Sequence, residues 1–479
     1  MVAGVLVALF LYFVNPFHVP ESAARVLAVG GLMITWWVTE ALPMPVVALM
    51  PLIFFPLLGI NTMKNTAASY GNEVIFLFMG GFMLGLAIEK WNLHRRIALT
   101  IVAKTGTSGN RIILGFILAT GLISMWLSNT ATTMMMFPIA LSVVHVMKEN
   151  KEGGGNYEHF NLCLLLAIAY ASNFGGIATI VGTPPNVQFV GAFEKRYNTN
   201  IDFLDWMLVC TPIAVLLMLS LYFVTTRILY PNKIKSSSAA NKYIKEELSL
   251  LGKLSSAEKR VLIIFICTAL LWICKDIINK TQPWFKLDDN MIAIIGAAAL
   301  FICPSGYKGS KEKGIDNKGD SILEWEDTSK MAWGILLLFG GGIALADALE
   351  KAGLIQQLGS WLALYAGSGF VLVLAVVIIS IFISEVMSNV AQVIVFTPVV
   401  CSLADSIHMN PIMLGLPMTL AASCASMLPM GTPPNAIVFS SGHIRLKQML
   451  KAGFIMNIVA VILITLFCWF LLPILMKAV

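Results

Sequence analysis

Two short polar motifs, each with a counterpart at similar spacing in the other half of the chain, contain the residues in this sequence best suited to bind a small ligand. One is the pair Ser128-Asn129, repeated as Ser388-Asn389, and the other is Gly-Thr-Pro-Pro-Asn at 182–186 and again at 431–435. An asparagine side chain offers a carbonyl oxygen and two N–H donors, so one residue can contact a cation and an anion together. These motifs therefore predict a site for a charged ligand.

Each Ser-Asn pair is expected to lie between two short helices. Ser124 and Ser384 precede Ser128 and Ser388 by one helical turn, so the two hydroxyls of each half share a face. The first helix ends in free carbonyl groups, which suit a small cation. The second begins with free N–H groups, which suit a carboxylate.

The segments around these motifs carry almost no charge. The ranges 113–146, 162–193 and 411–442 contain no Asp, Glu, Lys or Arg, and 371–404 contains only Glu385. Since no basic side chain is available to neutralise an anion there, bound cations are the expected counter-charge. Hydroxyl, amide and carbonyl oxygens suit a hard ion such as sodium. The residues thus predict ion-coupled uptake of a small anion.

The pentapeptides should interrupt helices in mid-membrane. Thr183 is expected to be an N-cap, and Pro184 fits the first helical position, where a missing N–H costs nothing. Gly182 allows the chain to break and to approach a ligand closely. Irregular backbone at membrane depth is tolerated where it is buried in protein or lines a cavity. We therefore expect four half-helix N-termini to converge on one site.

The composition indicates an all-α polytopic membrane protein. The chain of 479 residues is 58% hydrophobic and 12% charged, with a mean hydropathy of +0.81, and a span needs about 20 apolar residues. The net charge of +6 is a signal of topology and does not point to nucleic acid. The apolar N-terminus is expected to be a retained first span. Eleven spans are predicted, at 2–16, 24–40, 43–60, 74–90, 162–193, 208–230, 260–279, 289–303, 332–350, 411–440 and 448–476.

The two halves share one plan in opposite orientations. The segments 111–146 and 370–404 are too long for one span and carry their Ser-Asn motif centrally, which predicts two re-entrant hairpins. Each half then holds five spans and one hairpin, and an odd number of spans inverts the second half. The predicted division is a first span at 1–20, a first repeat at 21–230, a cytoplasmic linker at 231–259 and a second repeat at 260–479.

The distribution of basic residues gives the orientation. With the N-terminus in the cytoplasm, 23 of the 32 Lys and Arg residues fall on the inner side, as the positive-inside rule expects. The lack of a long glycosylated loop favours a bacterial inner membrane.

The paired Ser-Asn and Gly-Thr-Pro-Pro-Asn motifs, in this order in two halves, resemble those of the divalent anion:sodium symporter family. The resemblance covers nearly the whole chain after the first span, and the family includes sodium-coupled dicarboxylate and citrate transporters. It implies a homodimer of eleven-span protomers in which a transport domain moves against a scaffold by an elevator mechanism.

The resemblance also implies the residues of the site. A first sodium site would comprise Ser124, Ser128, Asn129 and the Gly182 carbonyl. A second would comprise Ser384, the Met387 carbonyl, Asn389 and the Gly431 carbonyl. The residues that would meet the substrate or line its pocket are Asn129, Thr130, Thr183, Pro184, Asn389, Val390, Thr432 and Pro433.

Val390 departs from the strict repeat, because it stands where a second Thr would supply a hydroxyl. One end of the substrate is therefore expected to be held differently, and the choice among succinate, malate, fumarate and a tricarboxylate such as citrate stays open.

Three alternatives also stay open. Glu385 is either a functional carboxylate, as in a proton-coupled transporter, or a group hydrogen-bonded to the hairpin backbone. A sodium-independent dicarboxylate exchanger is the nearest rival function. An intramembrane enzyme is disfavoured because the sequence contains no His-Glu-x-x-His, Walker or Gly-x-Ser-x-Gly motif.

Overall fold

The computed structural model describes residues 1–150, 155–235, 238–306, 321–364 and 369–475. Over these ranges the chain is helical, and the sole β-type pairing is an isolated bridge between Pro304 and Ser321. The prediction of an all-α protein is confirmed.

The helices of the first half include both predicted interruptions. They are α1 Val2–Phe13, α2 Glu21–Val38, α3 Met44–Val47, α4 Met50–Leu57, α5 Met63–Ala68, α6 Glu73–Lys90, α7 Leu93–Thr105, α8 Gly109–Ser124, α9 Asn129–Asn150, α10 Tyr157–Gly176, α11 Pro184–Tyr197 and α12 Phe203–Phe223. A π-helical segment, Val224–Leu229, extends α12.

The second half begins with a linker helix and repeats the pattern. Its helices are α13 Ser238–Leu250, α14 Ser256–Thr281, α15 Asp289–Ile302, α16 Trp333–Lys351, α17 Leu354–Ala363, α18 Gly369–Ser384, α19 Asn389–Ser406, α20 Ile412–Ala422, α21 Pro433–Ser440, α22 Leu446–Phe470 and α23 Leu472–Leu475. Short 3₁₀ turns lie at Ser69–Gly71, Ile180–Gly182 and Trp325–Lys330.

Within the described ranges, seven continuous helical segments are long and apolar enough to cross a membrane. They are Met63–Lys90, Asn129–Glu149, Phe203–Leu229, Ser256–Thr281, Trp333–Lys351, Asn389–Ser406 and Leu446–Phe470. Others are shorter, partly because α10/α11 and α20/α21 are each one predicted span that breaks at its pentapeptide. The total of eleven spans stays a prediction.

The two halves repeat each other in side-chain packing as well as in sequence. A Cβ atom placed on Gly80 of α6 would lie 2.6 Å from the carbonyl oxygen of Ala293 in α15. A Cβ atom on the equivalent glycine of α16, Gly341, would lie 2.3 Å from the carbonyl oxygen of Ala48. Only glycine lets backbones approach this closely. The helix pairs α6/α15 and α16/α3 are therefore counterparts.

Two amphipathic helices, α7 and α17, were not predicted, and they too are counterparts. Each begins after a residue in the left-handed conformation, Asn92 (φ 56°) and Gly353 (φ 73°). Arg95 of α7 pairs with Glu247 of α13 at 2.5 Å, and Arg96 with Glu258 at 2.8 Å. α7 therefore anchors the linker between the halves.

The helix pairs α8/α9 and α18/α19 meet at the Ser-Asn motifs, where the two hairpins are predicted, and the second helix of each pair contains an equivalent proline, Pro138 and Pro398. The apolar side chains bury in one large cluster that extends from α6 to α23. A second cluster joins α2, α3, α4 and α16 to the start of α19. Each hairpin tip consequently lies against helices of the rest of the molecule.

Candidate functional site

The tip of the first hairpin gathers oxygen atoms. Ser124 Oγ lies 2.8 Å from Asn129 Oδ1 and 2.7 Å from the carbonyl oxygen of Ser172 in α10. A serine hydroxyl has one hydrogen, so it can donate to only one of these two acceptors at a time. Oxygens gathered around a single hydroxyl hydrogen are an arrangement that suits a small cation.

The backbone of the first broken helix approaches the same point. A Cβ atom on Gly176 would lie 2.3 Å from Asn129 Oδ1, and one on Gly182 would lie 2.4 Å from the Gly176 carbonyl oxygen and 3.0 Å from that of Met125. A side chain at either glycine would fill this space. The backbone of predicted ligand Gly182 is thus close to that of the hairpin tip.

The second hairpin repeats the arrangement. Ser384 Oγ lies 2.7 Å from Asn389 Oδ1 and also contacts the carbonyl oxygen of Ala422 at the end of α20. Ser384 is fully buried, as is Ser124 in the first half. The described residues therefore contain two equivalent oxygen clusters, and the donor set in each fits a hard cation such as sodium.

The carbonyl groups of Ser172 and Ala422 were missed by sequence reasoning. Any residue can supply a backbone carbonyl, so its type gave no signal. Ser128 Oγ accepts the backbone N–H of Ala131 at 3.2 Å, which leaves a lone pair of this predicted ligand available. Ser388, its equivalent, is the N-cap residue of α19 and makes no side-chain cap bond.

Each pentapeptide starts a helix as predicted, with an extended Thr before the first proline (φ −147° at Thr183 and −146° at Thr432). The terminal asparagines fix the break. Asn186 Nδ2 donates to the carbonyl oxygens of Gly176 at 3.2 Å and Thr179 at 2.8 Å. Asn435 Nδ2 donates in the same way to those of Ala425 and Leu428, at 3.2 Å each. These amides hold the irregular backbone.

Glu385 serves the backbone of the second break. Its Oε1 accepts the N–H groups of Ser426 and Met427 and its Oε2 that of Leu428, each at 2.8 Å, while Asn457 Nδ2 donates to Oε1 at 2.7 Å. Glu385 is 3% exposed. These four donors all suit the charged carboxylate, so the contacts favour a structural role, although they come from the second break and α22 and not from the hairpin backbone as expected. Met125 takes the equivalent position in the first hairpin.

The predicted substrate residues differ in accessibility. Asn129, Thr130, Pro184, Asn389 and Val390 are half-buried, Thr183 and Thr432 are buried, and Pro433 is exposed.

The two halves meet crosswise near these residues. α21, which begins at Pro433, packs on α9 and α10, whereas α11, which begins at Pro184, packs on α19 and α20. Asn173 of α10 makes the link directly, because its Nδ2 donates to Thr432 Oγ1 at 3.0 Å and its Oδ1 accepts from Asn129 Nδ2 at 3.4 Å. The structure thus joins the first hairpin tip to the second pentapeptide.

The tips also contact the helices outside the hairpins. Trp126 stacks with Trp272 of α14 (centroids 6.4 Å apart, planes at 11°) and meets Phe265 of the same helix edge-on at 4.8 Å. In the second hairpin, Met387 and Val390 pack against the cluster of α2, α3, α4 and α16. Side chains next to the binding motifs therefore form the contacts between the hairpins and the surrounding helices.

A family model described as "Sodium:sulfate symporter transmembrane region" matches residues 1–476. The sodium-dependent dicarboxylate transporter SdcS of Staphylococcus saprophyticus is 38% identical over 473 residues, which cover 98% of this chain and 90% of the relative. SdcS of Staphylococcus aureus strain MRSA252 is 37% identical over 474 residues, with the same coverage.

Two solved structures share the fold at low identity. The Alcanivorax borkumensis YdaH transporter aligns with a TM-score of 0.59 at 12% identity, over 91% of this chain and 97% of its own. The Neisseria gonorrhoeae antimetabolite efflux pump MtrF aligns with a TM-score of 0.58 at 13% identity, over 85% and 83%. At such identities the likeness concerns the fold alone.

Proposed function

Because this chain belongs to the sodium:sulfate symporter family, we propose that it imports a C4-dicarboxylate, such as succinate, malate or fumarate, together with sodium ions. Membership of a transporter family makes the chain an integral membrane transporter and not an enzyme. The observation that carries the proposal is the pair of oxygen clusters, Ser124–Asn129–Ser172 and Ser384–Asn389–Ala422.

The charges around the site support cation coupling. Most of both hairpins and both broken helices lacks Lys and Arg. The ranges without them are 113–146, 162–193, 371–404 and 411–442. A dicarboxylate brought there carries two negative charges. Sodium ions in the two clusters would supply the missing positive charge, and the free half-helix N–H groups would receive the carboxylates.

We assign the ligands as the resemblance implies. Ser124, Ser128, Asn129 and the Gly182 carbonyl would hold one sodium ion, and Ser384, Asn389 and the carbonyls of Met387 and Gly431 the other. Asn129, Thr130, Thr183, Pro184, Asn389, Val390, Thr432 and Pro433 would form the substrate pocket.

Glu385 argues against proton coupling. Its two oxygens already accept four hydrogen bonds, and a proton on either oxygen would displace one of the donors. The names of the staphylococcal relatives support both the coupling ion and the substrate class, and we carry them over to this chain as part of the proposal.

The proposal includes an elevator motion of the hairpins and broken helices against the other helices, in a homodimer. The aromatic and apolar contacts at the hairpin tips support it, since they lie where two moving parts would meet. The relatives support a bacterial plasma membrane, and the basic-residue count supports a cytoplasmic N-terminus.

The test is uptake of radiolabelled succinate by proteoliposomes with sodium, potassium and proton gradients varied separately. We expect an inward sodium gradient to drive accumulation and equal potassium to give none. Uptake indifferent to sodium but stimulated by internal succinate would instead establish the exchanger.

A further inference from the structure

We propose that Asn173 is a positioning residue that determines which hydrogen-bonding groups of Asn129, in the first half, and Thr432, in the second half, face the ligands. This inference rests on the proposed function, because it concerns the same cation and substrate groups. Asn173 is 1% exposed, and its two amide ends reach Asn129 and Thr432, which lie in opposite repeats.

The first consequence concerns the Thr432 hydroxyl. Thr432 Oγ1 accepts the N–H of Asn173 at 3.0 Å and the backbone N–H of Asn435 at 3.4 Å. A hydroxyl oxygen has two lone pairs and one hydrogen. With both lone pairs engaged, the hydrogen of Thr432 is left to donate, and a substrate carboxylate can only accept. Asn173 therefore makes Thr432 a dedicated donor.

The second consequence concerns Asn129. Its Nδ2 points to Asn173 Oδ1, so its own Oδ1 faces Ser124 Oγ and the Gly176 backbone. This is the orientation that presents oxygen to a cation and leaves the second amide hydrogen for an anion. Asn173 thus fixes which way the Asn129 carboxamide is turned, and through it couples the cation cluster to the substrate contact.

The second half lacks this device. Counted from the pentapeptide, Ala422 stands where the first half has Asn173 and has no polar side chain. The next residue, Ser423, is buried, and its Oγ has no hydrogen-bond partner among the residues that the structure describes. Thr183, the counterpart of Thr432, makes no side-chain cap bond. The threonine that Asn173 orients belongs to the repeat that has Val390 where the first repeat has Thr130. Asn173 strengthens the donor that remains there.

The inference is tested by succinate uptake kinetics in proteoliposomes for Asn173→Ala and Asn173→Asp, with Ser423→Ala as the matched control. In Asn173→Asp the new carboxylate cannot donate, so the Thr432 hydroxyl turns to it and away from substrate. We expect KM for succinate to rise about tenfold or more, with kcat within about threefold and a higher sodium concentration at half-maximal rate. Ser423→Ala should stay within about twofold of wild type.

A double-mutant cycle separates positioning from general destabilisation. If Asn173 acts through Thr432, then Asn173→Ala should raise KM much less in a Thr432→Val background than in the wild type. Multiplicative effects of the two changes on KM would overturn the inference, and so would a wild-type KM and sodium dependence for Asn173→Ala. Should Asn173→Ala fail to fold, the double-mutant cycle is measured with Asn173→Ser in its place, and the same two outcomes for KM apply. Wild-type protein without sodium-driven uptake would refute the proposed function instead.

Discussion

Glu385 shows that a buried charge in a membrane protein can serve the backbone instead of the ligand. The stretch Ser426–Leu428 lies between α20 and α21, where its N–H groups have no helical partner. One carboxylate satisfies all three of them. Met125 stands at the equivalent position, and in that break the Ala178 N–H donates to the Gly175 carbonyl oxygen at 3.0 Å while Thr179 Oγ1 donates to the Met125 carbonyl oxygen at 2.5 Å.

The isosteric change Glu385→Gln should destabilise this break. The amide nitrogen would face an N–H donor, and hydrogen bonds to a charged group contribute about 1.5–3 kcal/mol each. We expect a lower midpoint of thermal unfolding in detergent, and uptake reduced in proportion to the folded fraction.

Glu149→Gln is the control, because Glu149 is exposed on α9 and its one ion pair among the described residues is with the exposed His145. It should leave the midpoint unchanged. A Glu385→Gln protein that is as stable as wild type, yet shifted in its pH dependence of uptake, would assign Glu385 to proton coupling.

The sequence indicated some of the site residues but not others, for a physical reason. Asn129 and Asn389 stood out because each belongs to a motif whose position recurs in the other half of the chain. The carbonyls of Ser172 and Ala422 gave no such sign, since every residue has one. Asn173 lay in an apolar run, and its role depends on Thr432, which is distant in sequence.

At the scale of elements, the long apolar helices and their breaks were predictable, but α7 and α17 were not. Five basic residues between 89 and 112 favoured a cytoplasmic loop. The structure forms a helix there because Arg95 and Arg96 turn to the acidic groups of the linker. Glu247, the partner of Arg95, lies about 150 residues away in the sequence, which is beyond what local periodicity can show.

Helix packing supplies a prediction at this scale. Gly341→Ala would place a methyl group 2.3 Å from the Ala48 carbonyl oxygen, so α16 and α3 would have to separate. Overpacking of this kind costs about 1–3 kcal/mol. We expect a lower midpoint of thermal unfolding.

The matched control is Gly30→Ala in α2, where the added Cβ would meet Leu345 at 3.5 Å, an ordinary contact. Alanine is the better helix former by about 0.5–1 kcal/mol, so this variant should be at least as stable as wild type. Equal stability of the two variants would mean that α16 and α3 do not need their close approach.

At the scale of the whole molecule, the proposed function requires both oxygen clusters, one from each half, in the same transport cycle. Removing either should therefore abolish most of the sodium-driven uptake. We expect Asn129→Ala and Asn389→Ala each to lower sodium-driven succinate uptake at least about tenfold. The exposed Asn65 provides the control, and Asn65→Ala should transport normally.

Thermal unfolding of the same variants separates loss of binding from loss of fold. Sodium should raise the unfolding midpoint of wild type, because a ligand that binds the folded state stabilises it, and should raise that of each variant less. Normal sodium-driven uptake by either variant would remove its asparagine from the site.

The aromatic stack at the first hairpin tip has a kinetic consequence. If the hairpin travels past α14, Trp126 must leave Trp272 and Phe265 in every cycle, and aromatic pairs contribute about 0.5–1.5 kcal/mol beyond their buried area. Each 1.4 kcal/mol of barrier slows a step about tenfold. The rate of uptake would then depend in part on three aromatic rings that are not among the proposed ligands of the substrate or of sodium.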